Sequence, residues 1–343
     1  MHRVKNPLVS VVLPVYNAEA TLSQALDSLL RQRFVAFEVV VVDDGSDDGT
    51  PSLIERYAAR DRRICPFFPG RHGLIPALNA GLAHARAPFV ARMDADDVAH
   101  PHRLGLQHEF LQAHPDIALV GTLIRCFPRP QVGKGFRIYE RWLNSLIAPE
   151  DIAREIYIES PLVHPSIMAR RADIKDVGAY RDFGWPEDYD LWLRLHLSGR
   201  RFAKVPRLLH FWREGPHRLT RQDGRYAVEN FLRAKAYYLR AGPLASDPRA
   251  IVWGAGQIGR RISKHLQRNG VDLVAFVDID PKKIGNTRRG APIISPEDLP
   301  HVWKVYEMPL ILAAVPSRGA RHLIREHLGG MGMVEGTDFL CVA

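Results

Sequence analysis

The sequence predicts two successive α/β domains, each built on a mostly parallel sheet. At 343 residues the chain exceeds what one hydrophobic core usually serves. Between Leu8 and Arg92, β-branched runs alternate with stretches of helical periodicity. After Pro- and Gly-containing residues 241–249, a strand, a glycine-rich turn and a helix recur from Ala250. The expected division is therefore 1–240, a linker at 241–249, and 250–343.

Leu8–Val15 (LVSVVLPV), closed by Tyr16-Asn17, reads as a strand buried on both faces. From Thr21 to Arg31, Leu22, Ala25, Leu26, Leu29 and Leu30 fall at helical spacing. Phe37–Val42 is a second buried strand, ended by Asp43-Asp44-Gly45-Ser46. Thr50-Pro51 is expected to cap the next helix, with proline at its first position. Leu74, Leu78 and Leu82 mark another helix, and Pro88–Arg92 another short strand. Such alternation argues for a mostly parallel sheet. Between Gly121 and Pro161 the pattern loosens, and the segment reads as variable. Helical periodicity returns at Asp188–Leu197 and at Tyr226–Leu239. No internal repeat or low-complexity tract interrupts this order.

A hydrophobic content of 46% with 25% charged residues is that of a soluble globular protein. The net charge of +9 suits a nucleic acid, an anionic membrane surface or a small phosphorylated ligand. Because the cations are scattered in pairs and triplets, nucleic acid is not the expected partner. Cys65, Cys126 and Cys341 lie far apart, which excludes a disulfide framework and a thiolate-rich metal site. The run Leu8–Val15 is too short for a signal-peptide core, and no apolar stretch approaches the roughly 20 residues that span a bilayer. The expected location is cytoplasmic, with peripheral attachment to the inner membrane face left open.

Ligands of open α/β sheets bind beyond the carboxyl ends of the strands. Here those ends carry Tyr16-Asn17, Asp43-Asp44, and Asp94-Ala95-Asp96-Asp97. Three carboxylates in four residues repel one another unless a cation lies among them, and hard oxygen ligands favour Mg²⁺ or Mn²⁺. Such an ion commonly arrives with a diphosphate. A solvated acidic turn is the competing reading, and the neighbouring polar strand ends weigh against it.

Ser10-Val-Val-Leu-Pro-Val-Tyr-Asn17, Val41-Val-Asp-Asp-Gly-Ser46, Ala77-Leu-Asn-Ala-Gly81 and Arg92-Met-Asp-Ala-Asp-Asp97 occur in the order seen in the family 2 glycosyltransferases. The resemblance covers about residues 7–240. It implies the GT-A fold, a single α/β domain that binds a nucleotide sugar and a divalent metal. The implied activity is metal-dependent, inverting transfer from a nucleoside-diphosphate sugar, UDP-sugar favoured, to a hydroxyl of a glycan or lipid-linked precursor, as in polysaccharide biosynthesis. By the same resemblance Asp43 would bond the nucleobase, with Pro14 and Tyr16 shaping its pocket. Asp94 would meet ribose or metal-bound water, Asp96 would bind the metal, and Asp44 and Asp97 would support them.

That chemistry also needs a base for the acceptor hydroxyl. Trp185-Pro-Glu-Asp-Tyr-Asp-Leu-Trp-Leu-Arg-Leu195 places Glu187 and Asp188 at the start of a helix, where acids are favoured by the helix dipole in any case. The segment resembles the family's Glu-Asp motif, which implies Asp188 as base and Glu187 as an orienting residue. Ser160-Pro-Leu-Val-His-Pro-Ser166 resembles an acceptor-side stretch, although His164 reads equally as a packed histidine. In Glu214–Arg221, His217, Arg218 and Arg221 are candidates for the diphosphate. The histidine there falls later than the family's usual Arg-x-His, so His217 is not expected to ligate metal. Gly70-Arg-His-Gly73 is a candidate to reach the base or the diphosphate, with a solvated loop as the safer reading.

In the second domain Gly254, Gly256 and Gly259 follow a strand and open a helix, and Val274–Val277 ends at Asp278. With its strand, helix and terminal acid this pattern predicts a Rossmann-like βαβ fold. It leaves open a scaffold, a nucleotide or sugar-nucleotide site at these four residues, or NAD(P). No Tyr-x-x-x-Lys pair accompanies it. Two other functional classes stay in view: an NAD(P)-dependent sugar-nucleotide oxidoreductase or epimerase, and a non-catalytic nucleotide-sugar-binding protein. Self-association into a homo-oligomer is a further expectation.

Overall fold

The computed structural model describes residues 4–215 and 218–343, which form two compact units. The first comprises residues up to 153 with 161–183 and 187–222, and the second 154–160, 184–186 and 223–343.

In the first unit, β1 (Val9–Val15), α1 (Leu22–Leu30), β2 (Phe37–Asp43), α2 (Thr50–Arg60), β3 (Ile64–Phe67), α3 (Leu74–His84) and β4 (Phe89–Arg92) follow the alternation seen in the sequence. β1 is buried along its whole length, with β2 and β4 parallel to it on either side. Helices cover both faces of such a strand, so its sequence is a continuous apolar run without alternation. Val9, Val11, Leu13 and Val15 pack with Leu22, Leu26 and Leu29 of α1 on one face. On the other face a Cβ at Gly81 would lie 2.4 Å from Val12 Cγ1, so α3 rests directly on β1. β3 carries Pro66 and lies at the sheet edge, where a missing N–H leaves no partner unbonded.

The rest of this unit is more regular than its sequence suggests. β5 (Val98–Ala99), α4 (Arg103–Ala113), β6 (Ile117–Phe127), α5 (Lys134–Ser145), α6 (Pro149–Glu155), β7 (Met168–Arg170), α7 (Arg171–Asp176), α8 (Glu187–Leu197), β8 (Arg201–Arg213) and α9 (Leu219–Gln222) complete it. The strand order is β3-β2-β1-β4-β7-β6-β8-β5. Residues 121–161, read as loosely patterned, thus contain most of a long strand and an amphipathic helix. β6 changes from full burial to alternation at Leu123 and shifts register against β8 there, which breaks both periodicities. Thr50 does not cap α2 with its hydroxyl, which instead accepts from Ala18 N at 2.9 Å; the Asp48 carboxylate accepts from Thr50 N at 2.9 Å.

The helix α10 (Val228–Ala241), placed ahead of the linker in the sequence reading, falls with the second unit by contact. Glu229 near the start of α10 pairs with Arg261 at 2.9 Å and His265 at 2.7 Å, both on α11 (Gln257–Arg268). The linker's last residues are already in the sheet, with Pro248 O accepting from Asp272 N at 2.8 Å. β9 (Arg249–Trp253), β10 (Asp272–Val277), β11 (Thr287–Arg288), β12 (Ala291–Ile294), α12 (Leu299–Val305), β13 (Leu310–Ala313), α13 (Ala320–Gly330) and β14 (Phe339–Cys341) follow. Their sheet runs β11-β12-β10-β9-β13-β14, parallel except for β11. No helix among the described residues is long and apolar enough to cross a membrane.

A Cβ at Gly259 would stand 1.7 Å from the Gly254 carbonyl oxygen, which is backbone and cannot step aside. Gly259→Ala is therefore expected to lower stability by at least about 2 kcal/mol, measured by denaturant unfolding. An unchanged midpoint would contradict this packing.

Candidate functional site

The carboxyl ends of β2, β1 and β4 lie side by side, with Val15 opposite Asp43 and Val12 opposite Arg92. Neighbouring strands are about 4.8 Å apart, so these three chain ends span roughly 10 Å. Everything that follows in the first unit is arranged around this edge.

At the β2 end, Asp43 is buried and its Oδ1 accepts from Ser46 Oγ at 2.5 Å. Asp44 turns the other way. Its carboxylate accepts from the backbone N–H of His72 at 2.7 Å and of Gly73 at 2.9 and 3.0 Å, tying down the loop read as solvated. That engagement makes Asp44 a loop anchor at the donor side, where the sequence reading placed it as a supporting residue. The anchored loop brings the Arg71 guanidinium over the Tyr16 ring, 3.3 Å from its centroid. Gly45 permits this approach, since a Cβ there would meet Arg71 N at 2.8 Å. Pro14 is buried in β1, one strand position further in than Val15.

At the β4 end, Asp94, Asp96 and Asp97 each offer an oxygen within 4.8 Å of the others, a group able to hold a metal ion. Burial and the charges of Asp97 and Asp94 push the Asp96 carboxyl up to about 7, with Arg218 pulling against them. Three ionised carboxylates at this spacing are not stable alone, and a divalent ion relieves the repulsion. Asp94 shares its carboxylate with the buried Arg92 guanidinium, whose Nε has no hydrogen-bond partner among the described residues.

Arg92 links this edge to α8. Burial opposes its charge, but Asp94, then Tyr180 and Glu187, overcome this and hold the Arg92 pKa above the ordinary value, and Arg92 in turn pulls the Asp188 carboxyl down. Burial, then the Glu187 charge, push Asp188 up to about 8 despite the Tyr189 N–H at 2.7 Å. Asp190 and Arg194 pair at 2.6 Å one turn on, and Arg194 donates to the carbonyls of Val177 and Ala179, which fixes the helix start. His164 is packed: Nε2 lies 2.8 Å from Tyr180 Oη, its ring meets Trp192 edge-on, and Glu187 is 3.7 Å from Nδ1. Burial, then Arg92, hold it below its ordinary pKa and favour the neutral ring beside Glu187.

Arg218 and Arg221 both pair with the buried Glu214, at 3.0 and 2.5 Å, and Arg218 lies over the Trp212 ring at 3.9 Å. Arg218 thus stands near Asp96 with its direction fixed. His217 lies outside the described residues. The sequence reading gave no role to Arg92, Tyr180, His210 or Arg213, and weighed Arg71 only as part of its loop. A charged residue inside the apolar run PFVAR was the one available signal, for Arg92.

In the second unit Gly254 has φ +110 and Gly256 begins α11 with open space at its Cβ position. Asp278 accepts from Asp280 N at 3.0 Å and Ala255 N at 2.9 Å and pairs with Lys283 at 3.1 Å, which against desolvation hold its carboxyl below the ordinary range. Its carboxylate closes the glycine turn.

Comparison with known proteins gives a consistent picture. The profile described as Glycosyl transferase family 2 matches residues 10–178, and one described as C2185-like, N-terminal, matches 246–335. A Bacillus subtilis (strain 168) protein named as a glycosyltransferase, EpsE, is 33% identical over 65% of this chain and 79% of its own. The amylovoran biosynthesis glycosyltransferase AmsE of Erwinia amylovora is 30% identical over 63% and 80%. Among solved structures, Staphylococcus aureus TarS residues 1–349 with UDP-GlcNAc superposes with a TM-score of 0.56, at 22% identity over 76% of this chain and 72% of that one. The mannosyltransferase PcManGT of Pyrobaculum calidifontis, with GDP-Man and Mn²⁺, gives 0.50 at 20% identity over 96% and 81%. At these identities the structures share the fold, a GT-A-like mixed α/β architecture.

A carboxyl whose folded-state pKa lies above its unfolded value costs stability as pH rises between the two, here from 3.8 to about 8 for Asp188. Asp188→Asn is expected to raise the unliganded melting midpoint by at least about 3 °C at about pH 8.5, and by less than half of that at about pH 5. A scan showing no gain, or the larger gain in acid, would refute this burial.

Proposed function

This chain belongs to glycosyl transferase family 2 and is a glycosyltransferase, and from that premise we propose a metal-dependent, inverting transfer from a UDP-sugar to a hydroxyl of a glycan or lipid-linked precursor. The observation that carries the reading is the carboxylate group at the β4 end, linked through Arg92 to the Glu187–Asp188 start of α8.

Asp96, with Asp94, would hold Mn²⁺ or Mg²⁺, as the hard oxygen donors and their crowding suit. When bound, the ion supplies Lewis-acid neutralisation of charge on the departing diphosphate. Arg218, aimed by Glu214, adds a cation on the same side, and Arg221 shares that glutamate. Tyr16 offers an aromatic face and Asp43 an acceptor for an imide N–H; Arg71 offers a donor edge beside them. Pro14 backs this slot from within β1. Such a slot fits uracil, and TarS is a fold relative with a UDP-sugar bound.

Asp188 accepts the acceptor hydroxyl's proton as that oxygen attacks the anomeric carbon, opposite the leaving diphosphate. One displacement inverts the anomeric configuration. Its raised proton affinity suits it to take a proton, and Glu187 orients the acceptor. A polysaccharide pathway is in keeping with the name of AmsE. The excess of cations agrees with a phosphorylated acceptor at the cytoplasmic face of a membrane, the chain attached at most peripherally.

For the second unit, whose division from the first we set at Asp223, a Rossmann-like scaffold or sugar-nucleotide module is the reading the strand order supports. Self-association through it stays a proposal. NAD(P) chemistry has no support, since Asp278 is spent on Ala255 and Lys283, and an oxidoreductase is not favoured.

Asp188→Asn is expected to cut sugar transfer by about 10²- to 10⁴-fold, followed as UDP release, while donor binding stays near normal. Transfer that survives the change removes Asp188 as base. Asp96→Ala is expected to abolish the Mn²⁺-dependent thermal shift given by UDP, and a greater shift with GDP than with UDP would overturn the uridine assignment.

A further inference from the structure

Asp97 is the carboxylate of its run that the chemistry above does not use. It is 1% exposed, and both oxygens are taken: Oδ1 by the Arg213 backbone N–H at 2.7 Å, Oδ2 by His210 Nε2 at 2.9 Å. His210, on β8, is wholly buried, and its Nδ1 lies 3.3 Å from Arg103 Nη1. A guanidinium only donates, so Nδ1 is the acceptor and the ring proton sits on Nε2, facing Asp97. Arg103 is itself pinned. Its Nε donates to Gln107 Oε1 at 3.1 Å, and Nη2 donates to the carbonyls of Arg92 at 2.7 Å and Ile167 at 3.2 Å.

Arg213 completes the arrangement, with Nε donating to the Asp96 carbonyl at 2.6 Å. The pairing of Ala99 with His210 between β5 and β8 sets the register in which these contacts form. Four contacts of one buried network therefore grip the backbone or side chains of residues 92, 96 and 97, the segment that carries the cation-binding oxygens. Groups so buried are costly unless fully paired, and partners of ligating segments commonly set ligand geometry.

We propose that His210 is a positioning residue for the divalent ion: acting through Asp97, which is not itself a ligand, it fixes the loop that aims Asp96. This rests on the metal reading given above. Arg103 selects the histidine tautomer, and Arg213 fixes the loop from its other side. Glutamine can replace both functions of the ring, accepting from Arg103 through its oxygen and donating to Asp97 through its nitrogen.

The test is calorimetric titration of Mn²⁺ into the full chain saturated with UDP, with circular dichroism to verify folding. His210→Leu is expected to weaken Mn²⁺ binding by about 10- to 100-fold, and His210→Gln to recover to within about 3-fold of the native affinity. Asp97→Asn should match the leucine variant, and the double variant Asp97→Asn with His210→Leu should be no weaker than either single change. Should His210→Leu not fold, Asp97→Asn against His210→Gln gives the same comparison. Native Mn²⁺ affinity in folded His210→Leu or Asp97→Asn, or losses that add in the double variant, would overturn the inference alone. A native chain that binds no Mn²⁺ would overturn the metal reading together with it.

Discussion

The first unit depends on how it contains the negative charge at the end of β4. Three carboxylates within 4.8 Å could not be assembled at a buried strand end without fixed cations and N–H donors. The chain answers each in a different way. Asp94 pairs with Arg92, Asp97 accepts from His210 and the Arg213 N–H, and burial with the neighbouring carboxylates still raises the proton affinity of both Asp96 and Asp97.

This arrangement explains why cations absent from any motif are buried so deeply. Arg103 is wholly buried, and desolvation brings its pKa down to about 9. It would be a poor core residue without the Arg92 and Ile167 carbonyls that accept from it. Arg92 joins the donor side to α8, so the proposed base and the proposed metal site respond to one guanidinium. The same edge carries the Tyr16–Arg71 stack, held in place by Asp44 from a neighbouring strand end. Charge neutralisation at one sheet edge thus sets loop position as well as electrostatics.

Much of the fold was legible because burial on both faces leaves a distinctive signature. Uninterrupted Val/Leu runs gave β1 and β2, and leucine spacing gave α1 and α3. β3, β6 and β8 were missed for physical reasons. β3 is four residues long with an internal proline, and β6 and β8 shift register against each other, so neither helical nor strand periodicity persists. Because α10 is amphipathic like any surface helix, periodicity does not show which unit it packs in; its ion pairs with Arg261 and His265 and the Lys235 bond to the Val342 carbonyl set it with the second.

The amino-acid order alone determined which strands end in acids, and therefore where a charged ligand would be met, because strand ends are fixed by local hydrophobic pattern. It also determined the kinship with the glycosyltransferases, since the motifs are local and retain their sequence. What each acid does was decided only in three dimensions. Asp44, Asp97 and Asp278, the lesser candidates in the chain, have oxygens occupied by distant N–H groups. The reason is that a carboxylate's availability depends on the partners that packing brings to it, and His72, Arg213 and Lys283 reach theirs through loop paths and strand pairings that no periodicity encodes.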